Sequence, residues 1–186
     1  MLRLFHLFVL VSCLGLFAAH GEARPGECRG EGKISKGTIT QLGEASVTVA
    51  HWVDTEICAH DYAIGTISSE ADIAVLSTGD VGACRNVEPG EGLIYEGFPA
   101  GPDAASIERD EGEIVATGFS FEVRPGHMVN GLDVGTSSIV RVGYSGGPVY
   151  SAKDGRIVGI IVGQNGKHTA FTPIETVCRI INEAKR

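Results

Sequence analysis

The chain has 186 residues, which suits one compact domain or two small barrels and leaves no room for an added binding module. Hydrophobic residues make up 43% and charged residues 20%, a composition that excludes a disordered chain. The net charge of -8, with no cluster of Lys and Arg, argues against a nucleic-acid partner and against binding to an anionic membrane surface.

The first 23 residues are typical of a signal peptide. A positive residue is followed by an apolar run over 4–19, and cleavage is expected after Gly21 or Ala23. The run is shorter than the roughly 20 residues of a spanning helix, so a cleaved signal is favoured over a membrane anchor. We therefore expect a secreted or extracytoplasmic protein. It would contact a membrane only if this segment is retained, or lipidated at Cys13.

Four cysteines remain once such a signal is removed: Cys28, Cys58, Cys84 and Cys178. An even number in an exported chain permits two disulfides in three pairings. We expect Cys58 to pair with Cys84 and Cys28 with Cys178, while Cys178 also fits a buried free thiol. The sequence has no C-x-x-C pair, so no metal site is expected.

The first half of the mature chain changes character at Thr38. Residues 24–37 are rich in Gly and charged residues without a period, and we interpret them as an exposed lead-in. Short strand-like runs bounded by turn-forming residues follow at 38–42, 45–52, 62–68 and 72–76. These runs predict a first barrel at about 38–85, and the Gly-rich stretch 77–91 reads as a linker.

Strand-like runs resume after the linker and predict a second barrel at about 91–172. They lie at 92–98, 113–119, 121–124, 138–142, 148–151, 157–162 and 168–172. Asp154-Gly155 is a favoured hairpin turn between two of them.

The last segment, 173–185, is predicted to be a helix. Ile174, Val177, Cys178 and Ile181 recur at helical spacing and form one apolar face. Thr172 and Glu175 fit a capping box, with Pro173 at the first helical position.

The strongest chemical signal is the segment GYSGGP at 143–148. A serine hydroxyl needs a neighbouring base to act as a nucleophile, and backbone N–H groups to stabilise the oxyanion formed on attack. Glycines beside Ser145 allow the backbone to turn such N–H groups into a site. The segment therefore predicts a catalytic serine in a loop between two strands.

This segment resembles the nucleophile motif of chymotrypsin-like serine proteases, including the HtrA-type branch. VTVAHW at 47–52 is similar to that family's histidine segment, DIAVL at 72–76 to its aspartate segment, and GFP at 97–99 to a Gly-aromatic-Pro segment of the bacterial branch. The order histidine, aspartate, serine is also the family's order. The resemblance implies an all-β fold of two antiparallel six-stranded-type β-barrels with a C-terminal α-helix, and a trypsin-like protease domain over 38–186.

The resemblance also implies the roles of individual residues. His51, Asp72 and Ser145 would form the catalytic triad of a serine endopeptidase, and the N–H groups of Gly143 and Ser145 the oxyanion hole. Such a protease needs no cofactor, and its partners are protein or peptide substrates. His60 is a rival base, but it lies too close to Asp72 along the chain to reach it from a separate strand.

Substrate-binding residues follow from the same resemblance. Ile139 would lie at the base of the pocket for the residue before the cut, and an apolar base favours small or apolar residues there. The walls are expected to come from Ser137, Ser138, Val162, Gly163 and Gln164. The run Ile160–Gly163, with Ile161, would pair with an extended substrate as an added strand.

Two features depart from the family and two other functions compete. Tyr144 stands where the animal enzymes have an Asp that binds a freed N-terminus, which argues against a zymogen of that type. The short gap between His51 and Asp72 predicts a pared-down first barrel. The same fold also fits a catalytically silent secreted binding protein. An esterase with an α/β-hydrolase fold would need a helix directly after Ser145, and Pro148 argues against one.

Overall fold

A computed structural model describes residues 21–30, 33–53, 58, 62–101, 106–136 and 140–186. It consists of two antiparallel sheets and a C-terminal helix, which confirms the predicted fold class. In the part of the chain that the structure describes, no helix is long and apolar enough to cross a membrane.

The first sheet has five described strands in the order β1-β2-β3-β5-β4. These are β1 (Glu22–Gly30), β2 (Lys33–Leu42), β3 (Ala45–Val49), β4 (Thr66–Ser68) and β5 (Ile73–Ser77). The short helix α1 (Ala50–Val53) follows β3 directly. Alternating Val and Thr along β3 bury both faces of this strand, so the sheet packs on the rest of the molecule.

The second sheet closes into a six-stranded barrel in the order β10-β11-β8-β7-β6-β9. Its strands are β6 (Gly92–Gly97), β7 (Glu108–Arg124), β8 (His127–Thr136), β9 (Pro148–Ser151), β10 (Ile157–Gln164) and β11 (His168–Pro173). A hydrophobic cluster that includes Tyr95, Tyr144, Ile161 and Phe171 fills its interior. Asp154-Gly155 lies in the turn between β9 and β10, as predicted.

The terminal helix α2 (Ile174–Ala184) buries its predicted apolar face, with Ile174, Val177 and Ile181 at most 2% exposed. The predicted capping box is wrong. Pro173 is the N-cap, the cap has no side-chain hydrogen bond, and the Thr172 hydroxyl donates instead to the Ala71 carbonyl at 2.7 Å. Both groups are buried between the helix and the first sheet, where each needs a hydrogen-bond partner, so the Thr172 hydroxyl bonds this carbonyl.

The predicted exposed lead-in over 24–37 is wrong, because this segment forms the β1–β2 hairpin. Gly26 and Gly37 are directly opposite each other in the register, and the ring of Trp52 covers both. A Cβ atom on Gly26 would lie 2.2 Å from that ring, and one on Gly37 would lie 2.6 Å from it. The glycines that suggested a loop are therefore places where an aromatic ring contacts a strand pair.

Several other predicted boundaries change. The run 45–52 stops being a strand at Val49, because α1 begins at Ala50. The two runs predicted between 113 and 124 are parts of the single long strand β7. The strand β8 was not predicted, since its alternation is interrupted by Asn and Gly. Residues 140–142 of the run predicted at 138–142 are not in a strand.

The predicted disulfide pairing is also wrong. Cys28 pairs with Cys58 and Cys84 with Cys178, with Cα–Cα distances of 5.0 and 6.7 Å. Cys28 lies in β1 of the first sheet, and its disulfide partner is Cys58. The linker that carries Cys84 runs along α2, where the Asn86 side chain donates to Glu175 at 2.9 Å.

Candidate active site

His51 and Asp72 form a closely coupled pair at the edge of the first sheet. Asp72 directly precedes β5 and is fully buried, with a left-handed φ of 53° that non-glycine residues seldom adopt. One carboxylate oxygen accepts the His51 backbone N–H at 2.8 Å, and the other lies 2.5 Å from His51 Nδ1. The Asp72 carbonyl also accepts the N–H of Ala50 at 3.0 Å.

This double contact fixes the orientation of the imidazole. A carboxylate at this position favours the imidazole tautomer with its proton on Nδ1, which leaves the lone pair on Nε2. The His51 side chain is 20% exposed and lines an open cavity. The pair therefore presents a hydrogen-bond acceptor at the surface of that cavity.

Ser145 lines the same cavity, which has a volume of about 330 Å³. Its hydroxyl donates to the carbonyl of Val162 at 3.3 Å. Across the described residues, no hydrogen bond joins this hydroxyl to His51. Contacts between a nucleophile and its base are often long in unliganded enzymes and shorten when substrate binds.

The backbone N–H groups of the loop 143–147 divide into those that are hydrogen-bonded and those that are not. Its N–H groups at Tyr144, Gly146 and Gly147 donate to carbonyls at 2.8–3.1 Å. Within the described part of the chain, Gly143 and Ser145 are the residues of this loop whose N–H groups have no acceptor. These are the two donors that the sequence predicted for the oxyanion hole.

Tyr144, the residue that departs from the family pattern, is held by Glu108. The Tyr144 hydroxyl donates to Glu108 at 3.1 Å, and the Arg141 guanidinium also bonds that carboxylate. Burial raises the pKa of the Tyr144 phenol, while the bond from Arg141 lowers the pKa of Glu108. The phenol therefore stays neutral and remains a donor to an ionised carboxylate.

Four of the predicted substrate-binding residues line the cavity: Ile161, Val162, Gly163 and Gln164. Both backbone polar groups of Ile161 are already bonded to the loop at Gly146 and Gly147. Ser138 and Ile139, and also Ser137 and the rival base His60, lie outside the described residues.

No motif indicates that β7 contributes to the cavity, yet Phe121, Glu122 and Val123 line it. The Phe121 ring lies against Gly163, where a Cβ atom would be 2.9 Å from the ring. The alternation of Phe119, Phe121 and Val123 is the one signal of a strand here. It does not reveal that the strand reaches the serine.

The cavity contains no arrangement of ligands suited to a metal. Among the described residues, no three His, Cys, Asp or Glu side chains gather closely enough to hold a metal ion.

The arrangement of the strands is shared with solved protease structures. The active form of the Rv3671c protease from M. tuberculosis has a TM-score of 0.67 and 14% sequence identity, over 90% of this chain and 81% of that one. The MamO protease domain from Magnetospirillum magneticum has a TM-score of 0.60 and 17% identity, over 87% of this chain and 95% of that one. The fold is that of the chymotrypsin-like serine proteases.

Comparison of the amino-acid sequence alone finds no relative of this chain. No protein-family model and no curated protein matches the chain. At such low identity the shared fold indicates architecture alone, and function depends on the side chains at the cavity.

Proposed function

We propose that the protein is a serine endopeptidase that uses His51, Asp72 and Ser145. The observation that carries the proposal is the loop 143–147. In the part of the chain that the structure describes, its acceptor-free N–H groups are those of Gly143 and of Ser145 itself, and Ser145 shares a cavity with the His51–Asp72 pair. A serine, a base and a pair of oxyanion donors are the parts that acyl transfer requires.

In the proposed reaction, the Ser145 hydroxyl turns from Val162 to His51 and attacks the scissile carbonyl of a peptide. His51 Nε2 takes the hydroxyl proton and returns it to the leaving amine, which departs as the acyl-enzyme forms. Asp72 stabilises the imidazolium. The N–H groups of Gly143 and Ser145 stabilise the oxyanion, and water then hydrolyses the acyl-enzyme by the same route.

The proposed substrates are proteins or peptides with small or apolar residues before the cut. The apolar side chains of Phe121, Val140 and Val162 line the cavity and offer an apolar surface to such residues, while Glu122, which also lines it, has its carboxylate bonded to the Gly126 N–H. The segment after Ile161 is the proposed site for pairing with an extended substrate strand. Two disulfides support export to an oxidising compartment.

A catalytically silent binding protein is the second candidate. The hydrogen bond from Ser145 to Val162, in place of one to His51, is the observation that favours it. The α/β-hydrolase alternative is wrong, because the segment after Ser145 is a turn followed by β9 in an antiparallel barrel.

Digestion of a peptide library, with mass-spectrometric mapping of the cut sites, tests the proposal. The wild-type protein is expected to cut after small or apolar residues, and Ser145→Ala to lose this activity. Ser120→Ala is the matched control, since Ser120 is an exposed serine on β7 whose hydroxyl bonds Asn130. A wild-type protein that cuts no peptide, or cutting that persists in Ser145→Ala, would overturn the proposal.

A further inference from the structure

The orientation of the Gly143 N–H is set by a contact on the opposite side of its peptide group. The carbonyl of Val142, which belongs to the same planar peptide, accepts the N–H of Ala100 at 2.7 Å. Since N–H and C=O point in opposite directions across a trans peptide, this bond aims the Gly143 N–H away from the 97–101 loop. Gly143 has a φ of 100°, and a Cβ there would lie 2.3 Å from the Phe98 carbonyl oxygen.

The 97–101 loop is bonded to the first sheet by the Thr38 hydroxyl and by Lys36 Nζ, which donates to the Gly101 carbonyl at 3.1 Å. Thr38 on β2 is fully buried, and its Oγ1 accepts the N–H of Phe98 at 3.0 Å. A backbone N–H can only donate, so the hydroxyl proton of Thr38 is left for another acceptor. That acceptor is the carbonyl of Gly143, at 2.8 Å. One hydroxyl therefore joins the loop that holds Val142 to the loop that carries the oxyanion donors.

We propose that Thr38 is a positioning residue for the oxyanion hole. Its hydroxyl couples the 97–101 loop to Gly143 and so keeps the Gly143 N–H directed at the cavity. This inference rests on the proposed protease function and adds to it a residue outside the triad, in the first sheet.

The surroundings of Thr38 support this role. Its backbone N–H donates to the Ser145 carbonyl at 2.9 Å, so Thr38 contacts the loop 143–147 at two points. The neighbouring Thr40 hydroxyl donates to the Gly146 carbonyl at 2.7 Å. These two buried threonines therefore anchor the loop 143–147 to the first sheet.

Thr38→Val tests the inference, since it keeps the branched shape and removes the hydroxyl. We expect kcat on a library-derived peptide to fall about 10- to 100-fold, short of the roughly 100- to 1,000-fold cost of deleting an oxyanion donor. KM is expected to stay within about twofold, because the lost interaction acts on the transition state. Thr38→Ser restores the hydroxyl and is expected to recover kcat.

Thr169→Val is the matched control. Thr169 is also a fully buried strand threonine, but its hydroxyl has no partner among the described residues. Its kcat is expected to equal that of the wild type. Ala100→Pro, which removes the N–H bonded to Val142, gives an independent variant with the same expected loss of kcat. Thermal unfolding of each variant establishes that the assayed protein is folded.

The outcomes separate this inference from the proposed function. The positioning role alone is overturned if the wild type is active and a folded Thr38→Val or Ala100→Pro variant has an unchanged kcat. A loss of kcat that Thr38→Ser does not recover, or that Thr169→Val shares, also overturns it. A wild type that cuts no peptide overturns the protease proposal itself.

Discussion

Asp72→Asn is the perturbation whose consequence follows most directly from the geometry. The asparagine amide has one acceptor oxygen and one donor NH2 group in place of two carboxylate oxygens. One of these positions faces the His51 backbone N–H at 2.8 Å, which can only donate, so the amide oxygen must occupy it. The amide NH2 then faces His51 Nδ1, which must become an acceptor.

This exchange moves the imidazole proton to Nε2, the nitrogen that has to accept the proton of Ser145. Loss of the correct tautomer in a Ser-His-Asp triad costs about 10,000-fold in kcat, which is about 5.5 kcal/mol of transition-state stabilisation. We therefore expect Asp72→Asn to lower kcat by about this factor. The backbone bond from Ala50 to the carbonyl of residue 72 remains, so the fold is expected to be kept.

The assay is the initial rate of hydrolysis of a fluorogenic peptide taken from the library, measured with thermal unfolding of the same samples. Asp80→Asn is the control, because the exposed Asp80 accepts the Gly82 N–H and an amide oxygen can replace it there. Folded Asp72→Asn protein with kcat within tenfold of the wild type would refute the reasoning on the tautomer.

Three predictions concern stability. Glu91 is buried and bonded to the partly exposed Arg85, whose hydrogen bond lowers the pKa of Glu91 to about 2. Arg85→Gln is therefore expected to cost about 3 kcal/mol in urea unfolding at pH 7, and this difference should vanish as the pH falls from 4.5 towards 2; a difference independent of pH would contradict the assignment. Burial raises the pKa of Asp133 to about 6, so its ionised form opposes folding. Asp133→Asn is expected to gain up to about 3 kcal/mol at pH 8 and little at pH 4, and equal gains at both would contradict this. Replacing Cys84 and Cys178 together by Ser is expected to cost about 2–5 kcal/mol in the same assay, and an unchanged midpoint would contradict the pairing.

The parts of the fold that the sequence predicted are those where local chemistry decides the structure. Alternating Val and Thr predicted β3, helical spacing of apolar residues predicted α2, and a serine between glycines predicted the loop 143–147. In each case the signal lies within one short segment, and the residues needed to interpret it are adjacent in the chain.

The failures arose where a distant residue decides the local structure. Gly26 and Gly37 suggest an exposed segment until Trp52 is placed over them. The threonine expected to cap α2 bonds the carbonyl of Ala71 instead. The disulfide pairing could not be derived because it depends on β1, which was not predicted, since residues 24–37 are rich in Gly and charged residues.

In the candidate site, too, the residues that were predicted lie in local motifs, and those that were not predicted depend on distant contacts. His51, Asp72 and Ser145 were predicted because each lies in a recognisable short segment. Thr38 and Phe121 were missed because neither lies in a motif, and their importance comes from what the fold places beside them. Thr38 meets Gly143 only because the two sheets pack together, and Phe121 meets Gly163 only because the long hairpin of β7 and β8 folds back over the cavity.

Peptide mapping of protein treated with a fluorophosphonate tests most directly whether Ser145 is an activated nucleophile. A serine next to a functional base and oxyanion donors attacks the phosphorus and displaces fluoride, which leaves a stable adduct on the hydroxyl. We predict one adduct, on the peptide that contains Ser145, formed in the wild type and absent from Ser145→Ala. An adduct on another serine, or equal labelling of both proteins, would contradict the proposed function.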